Sequence, residues 1–184
     1  MRLIILGGSG AGKSTQAKKV CAALNLQLVS VGEILRSAIA NRTALGKQAE
    51  AYVIQGKLIP DELMIQFMGD RLSQPDMAAG WILEGYPRTA FQAEELDFLL
   101  DGSNQTLDWA IYLQVADELL LERSQKRGLP DDTPEILEQR LKAFHESTVP
   151  ILEYYSHRQK LLTIDTAKPI SEITETLIQC LSNS

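Results

Sequence analysis

Eight residues near the start of the chain, Gly7-Gly8-Ser9-Gly10-Ala11-Gly12-Lys13-Ser14, have the types and spacing to hold phosphate groups. They satisfy G-x-x-x-x-G-K-[S/T], a pattern that carries meaning when it follows a strand and opens a helix. Glycines let the backbone curl until successive N–H groups point inward at phosphate oxygens. The positive end of the following helix adds to that field. Lys13 can neutralise the outer phosphates, and the Ser14 hydroxyl can reach a Mg2+ ion. The context is right here, because the apolar run Leu3 to Leu6 precedes the loop and helical periodicity follows it. These residues imply that a nucleotide binds and leave the reaction open.

Arginines form a second group. Arg36 lies in a helix that begins near Gly32, and Gly85-Tyr86-Pro87-Arg88 directly follows an apolar run ending at Glu84. In a parallel sheet, residues just past a strand's carboxyl end share the edge that carries the phosphate loop. Arg88 is therefore expected in the cleft, where a guanidinium fork suits phosphate oxygens. Arg140 falls on an inward stripe formed by Leu137, Leu141, Phe144, Thr148, Ile151, Leu152 and Tyr155. An arginine there is costly unless an anion meets it or its stem reaches out along the stripe's edge. No D-x-x-G follows the loop and no N/T-K-x-D motif occurs, which argues against a GTPase.

Such side chains need a frame. Short apolar runs alternate with longer stretches of helical periodicity, the pattern of a parallel sheet covered by helices. Strands are expected at 2–6, 27–30, 81–84, 109–113 and 161–164. Helices are expected at 14–24, 33–41, 46–55, 61–73, 90–100, 117–127, 135–157 and 170–180. The fold class is α/β, a P-loop NTPase domain with about five parallel strands. Between the second and third strands lie about fifty residues, more than one crossover helix requires. The surplus predicts a small helical flap. Residues 128–134 carry one glycine and two prolines, which stop the preceding helix and make a short connection.

The chain's 184 residues, with 45% apolar and 23% charged side chains, suit one soluble domain. A formal charge of −6 argues against a nucleic-acid partner, which usually needs a basic face. Cys21 and Cys180 are far apart in sequence and form no C-x-x-C pair, so neither a disulfide framework nor a cysteine zinc site is expected. A cytoplasmic setting follows as the default. The first apolar run is too short for a signal peptide or a membrane span. A monomer is the default.

The segments Gly10-Ala11-Gly12-Lys13, Ser30-Val31-Gly32-Glu33-Ile34-Leu35-Arg36, Gly56-Lys57-Leu58-Ile59-Pro60-Asp61-Glu62 and Glu84-Gly85-Tyr86-Pro87-Arg88-Thr89 with Gln92 resemble motifs of the adenylate kinase family, in that family's order. So do Arg123, Arg127 and Arg140, and Asp165-Thr166-Ala167-Lys168-Pro169 near the end. The resemblance implies a core, an AMP flap over residues 30–59 and a lid over 124–134. It implies reversible phosphoryl transfer from Mg·ATP to AMP, giving two ADP. ATP phosphates would lie on Gly10, Ala11, Gly12, Lys13, Ser14 and Thr15, with Arg123 and backbone near Lys168 at the ATP adenine. Arg36 and Arg88 would hold the AMP phosphate. Val31, Lys57, Leu58, Ile59, Gly85, Tyr86, Pro87 and Gln92 would surround AMP, with Gln92 and the backbone at 57–59 reading its base. Arg127 and Arg140 would bridge the transferring group, and Glu84 would hold a Mg2+-bound water. His145 and His157 are expected to be surface or structural residues, since the AMP phosphate is already largely ionised near neutral pH and needs no base.

The chain also departs from the family's pattern. Ser9 stands where proline is usual, Ser14 where glycine is usual, Val31 where threonine is usual and Glu84 where aspartate is usual. Only Gly128-Leu129-Pro130 separates Arg127 from Asp131-Asp132, so one clamping arginine of short-lid members is missing, and the lid lacks zinc-binding cysteines. UMP/CMP kinases share most of these motifs; Gln92 favours adenine, while Val31 leaves the base open. A non-catalytic nucleotide-binding relative also fits the shortened lid.

Overall fold

Leu3, Ile4, Ile5 and Leu6 are apolar on both faces of their strand, so β1 (Arg2–Leu6) has to be covered from both sides. In the computed structural model, which describes residues 1–129 and 132–182, β1 is the middle of a five-stranded sheet. The others are β2 (Gln27–Ser30), β3 (Trp81–Glu84), β4 (Trp109–Gln114) and β5 (Leu161–Asp165), in the spatial order β2-β3-β1-β4-β5. All pairings are parallel, and Ile5 lies opposite both Glu84 of β3 and Ile111 of β4. The five expected strands are all present, the last two each one residue longer.

The helices are α1 (Lys13–Leu24), α2 (Val31–Ala40), α3 (Ala44–Ile54), α4 (Asp61–Leu72), α5 (Ala90–Asp101), α6 (Asp117–Arg127), α7 (Pro134–Ala143), α8 (Val149–His157) and α9 (Ile170–Ser182). Side chains alternating along β1 feed two cores. Ile4 and Leu6 join Val29, Leu83, Ile151 and Tyr155 on one face, while Leu3 and Ile5 join Ile82, Ile111, Leu113 and Leu177 on the other. The chain leaves β1 toward β2 on one side and later crosses to β4 on the other. The carboxyl end of β1 is thus a topological switch point, where such sheets open a crevice. The phosphate loop sits there.

The surplus between β2 and β3 folds as α2, α3 and α4, followed by a short 3-10 turn at Pro75–Met77. The first two pack backbone to backbone. A Cβ on Gly46 would lie 2.1 Å from the Ala38 carbonyl oxygen, so a glycine is needed there for the approach.

The single helix expected over 135–157 is instead α7, a π-helical turn at Phe144–Thr148, and α8. The reason is Pro150. It has no N–H to donate, and its ring collides with the carbonyl four residues back in a regular helix. The chain widens by one residue before it, and the Val149 N–H bonds the Phe144 carbonyl. The change of phase leaves Leu141 and Leu152, two residues of the expected stripe, only partly buried and packed against opposite cores. Among the described residues no helix is long and apolar enough to cross a membrane.

Candidate active site

The loop after β1 curls through Gly7, Gly10 and Gly12, with φ of 146°, 89° and 90°. Gly10 also has no room for a side chain, because a Cβ would lie 2.2 Å from the Leu120 carbonyl oxygen of α6. Lys13 opens α1 and folds back over the loop, its Nζ donating to the Gly7 and Gly8 carbonyls at 2.8 Å each. Burial lowers its pKa to about 8; Glu84 opposes this, while Arg88, Arg127 and Arg140 push the same way. A triphosphate held on the loop would favour the charged form and draw the pKa back up. Affinity for ATP is therefore expected to fall as pH rises through 8, by about tenfold between pH 7 and pH 9. Calorimetric titration at both pH values checks this; equal affinities would mean that Lys13 stays charged in the free protein.

Glu84 ends β3 beside the loop and accepts a hydrogen bond from the Ser30 hydroxyl at the end of β2. Burial alone would raise its pKa, but Lys13, the Ser30 hydroxyl, Arg88 and the Ser14 hydroxyl together hold it below the ordinary carboxylate value. It is an anion at neutral pH. Mg2+ prefers hard oxygen ligands, usually one or two carboxylates plus substrate phosphates and water. The Ser14 hydroxyl and the Glu84 carboxylate fit that chemistry. Among the described residues no group of three or more His, Cys, Asp or Glu side chains could hold a metal alone, so phosphates and water would complete the shell.

Arg88 is set by the turn after β3. Its N–H donates to Gln92 Oε1 at 2.8 Å, its carbonyl accepts from Thr148 Oγ1 at 2.9 Å, and its Nε donates to the Gly85 carbonyl at 3.0 Å. Gln92 Nε2 donates to Asp61 Oδ1 at 2.7 Å. An amide offers two N–H groups and two lone pairs, so half of its capacity remains for a ligand. Thr148, on the π-helical turn, was anticipated only as core. Its role in holding Arg88 depends on that turn.

Arg127 and Arg140 meet at Asp132. Arg127 Nε and Nη2 lie 2.9 and 2.7 Å from the two carboxylate oxygens, and Arg140 Nη1 is 3.1 Å from one of them. The Leu129 N–H also donates to Asp132, whose side chain is 1% exposed. Burial raises the Asp132 pKa, but its bonds to Arg127 and Leu129 and the nearby Arg140 outweigh this and hold it low. In the sequence, Asp132 marks only the length of the lid. Its place between two arginines that follow from different helices was the missed signal.

Two cavities open at this edge. One, of about 170 Å3, is lined by Lys13, Arg36, Arg88, Gln92, Arg140 and the flap. From the flap and its surroundings come Val31, Lys57, Leu58 and Ile59, with Gly85 and Pro87 beside them. The other, of about 420 Å3, is lined by Gly10, Ala11, Gly12, Thr15, Arg123 and Lys168. Lys13, Ser14, Glu84 and Arg127 border both. Arg123 donates to the Thr166 carbonyl at 3.0 Å, and Lys168 pairs with Glu172 at 2.5 Å. Tyr86 is the exception among the expected site residues. It is turned into the core, 2% exposed, with its hydroxyl donating to the Gln92 carbonyl at 3.2 Å. Of the expected lid, Pro130 and Asp131 lie outside the described residues.

A model of the adenylate kinase family matches residues 5–160 of the chain. Adenylate kinase 2 of Nostoc sp. is 53% identical over 181 residues, covering 98% of each chain. Adenylate kinase 2 of Synechocystis sp. is 52% identical over 178 residues, covering 97% of this chain and 98% of its own. Adenylate kinase of Parvibaculum lavamentivorans is 44% identical over 181 residues, covering 95% and 88%. The matched residues span the phosphate loop, the flap and the arginine-bearing helices, and the chain belongs to the adenylate kinase family of phosphotransferases.

Proposed function

We propose that the chain transfers the γ-phosphoryl group of ATP to AMP, reversibly, giving two ADP. The observation that carries this reading is the pair of cavities that share Lys13, Ser14, Glu84 and Arg127. Two nucleotides laid in them would meet at those four residues. ATP takes the larger cavity, with phosphates on residues 10–15 and adenine between Arg123 and the backbone near Lys168. AMP takes the smaller, with its phosphate on Arg36 and Arg88.

An oxygen of the AMP phosphate attacks the γ-phosphorus in line. The bond to the β,γ-bridging oxygen breaks, and its electron pair leaves on ADP. No general base is required, because that phosphate is largely ionised at neutral pH. The task is to position and screen two anions that repel each other. Lys13, Arg88, Arg127 and Arg140 supply the positive charge. Mg2+, held through Ser14 and Glu84, would add charge screening at the outer phosphate oxygens. Residues 30–59 would act as a flap and 124–134 as a lid, closing to exclude water that would otherwise accept the phosphoryl group.

AMP is the acceptor because the remaining N–H and lone pair of Gln92 suit adenine's adjacent donor and acceptor. Cytosine carries a similar donor–acceptor edge on a smaller ring, so the preference for AMP over CMP rests on the reach of the purine's second ring. With ATP as donor and AMP, GMP, UMP and CMP as acceptors, AMP is expected to turn over at least about tenfold faster than the others. Faster turnover of UMP or CMP would overturn the acceptor assignment.

A further inference from the structure

Among the described residues, Ser9 is the loop residue whose side chain hydrogen-bonds to α6. It lies between Gly8 and Gly10 and lines the cleft together with Lys13, Arg88, Arg127 and Arg140. Its Oγ accepts a hydrogen bond from Arg127 Nη2 at 3.3 Å, which ties the arginine to the loop across the mouth between the two cavities. A serine hydroxyl carries one proton and two lone pairs. One lone pair accounts for Arg127, and among the described residues no acceptor is recorded for the proton. The hydroxyl can turn that proton toward an anion in the cleft, which Ser9 lines together with Lys13 and Arg127.

Charge explains why a neutral donor is useful at that point. Arg88, Arg127 and Arg140 already press on Lys13 across the cleft, each lowering its proton affinity. Another cation would add to that repulsion before substrate arrives. A hydroxyl adds a hydrogen bond to an anionic oxygen without adding charge, and such bonds are stronger than neutral ones. We propose that Ser9 is a further catalytic residue, whose hydroxyl donates to an oxygen of the γ-phosphoryl group while its lone pair holds Arg127 in line. This rests on the transfer reaction proposed above. It also assigns Ser9 a substrate feature, because ATP has a γ-phosphate and ADP has none.

The test uses the full chain with Ser9→Ala and Ser9→Thr. The backbone at Ser9 is not in the left-handed region, so alanine introduces no strain. Calorimetric titration with ATP and with ADP is paired with steady-state ADP formation from ATP and AMP. Ser9→Ala is expected to bind ATP about five- to tenfold more weakly, with ADP affinity changed less than about twofold. Its kcat is expected to fall about tenfold or more, with KM for AMP unchanged. Ser9→Thr, which keeps the hydroxyl, should restore ATP affinity and kcat to within about threefold of wild type. Equal losses for ATP and ADP, no loss for either, or a threonine variant as impaired as alanine would overturn the assignment. A wild-type protein that makes no ADP, yet loses its preference for ATP over ADP on Ser9→Ala, would overturn the transfer reaction and leave Ser9 at the γ-phosphate. A wild type that makes ADP, with an alanine variant that keeps the preference, would remove Ser9 alone.

Discussion

Replacing Lys13 with methionine is expected to lower turnover by about three orders of magnitude while the protein still folds. Methionine fills the same space and gives up the charge. Removing one positioned donor from a developing oxyanion costs roughly a hundred- to a thousandfold in comparable sites, and a full cation at the β and γ phosphates belongs at the upper end. Folding should survive, since the Gly7 and Gly8 carbonyls that Lys13 now bonds line the open cleft, where water can replace it. The depressed pKa of Lys13 has a second consequence. Its charged form is disfavoured by folding, most fully below pH 8, so methionine relieves that cost at neutral pH. Circular dichroism melting and a coupled ADP-forming assay check both parts. A variant within a few-fold of wild-type turnover would take Lys13 out of the chemistry.

Arg88→Ala is expected to reduce kcat/KM for AMP by about a thousandfold and to change ATP affinity by less than about threefold. The magnitude is that of an anion losing its hydrogen-bonded guanidinium partner in a closed cleft. The selectivity follows from geometry, because Arg88 lines the smaller cavity and does not line the larger one. Loss of shape does not explain it either. The turn is fixed through the N–H and carbonyl of residue 88, by Gln92 and Thr148, and alanine keeps both bonds. Arg88→Lys should recover only part of the activity, since a single ammonium cannot fork across two phosphate oxygens. Steady-state kinetics with AMP varied at saturating ATP, and calorimetry with ATP alone, separate the two effects. Equal losses toward both nucleotides would show that the arginine supports the whole cleft.

The frame of this molecule is written locally, and so it was legible. Leu3, Ile4, Ile5 and Leu6 can only be a strand covered on both faces, and the glycines after them only a tight anion-binding turn. Arg36, Arg88 and Arg140 were legible as candidates because they follow a strand end or fall on an inward helical stripe, while Arg123 and Arg127 were named by the family resemblance. What sequence did not show depends on contacts between distant segments. Asp132 looked like a loop residue, and only the convergence of α6 and α7 makes it a buried carboxylate between two guanidinium groups. Tyr86 belongs to a cleft motif, yet the turn sends its ring into the core while Gly85, Pro87 and Arg88 stay at the surface of the cleft. Pro150 was visible, but the apolar spacing on either side reads through it, and the extra residue it demands emerged only as the π-helical turn.

That turn makes the long carboxyl-terminal helix a pair of shafts joined with an angular offset. The α8 shaft is anchored by Ile151 and Tyr155 in the sheet's core, while the α7 shaft carries Arg140 to the cleft. Each residue of a helix advances the rotation by about 100°. Deleting one residue at 144–148 would remove the wide turn that accommodates Pro150, and it would also swing Arg140 about a quarter-turn away from its place in the cleft. Here the irregular backbone and the competence of the site go together, and the sequence around Pro150 keeps the irregular form.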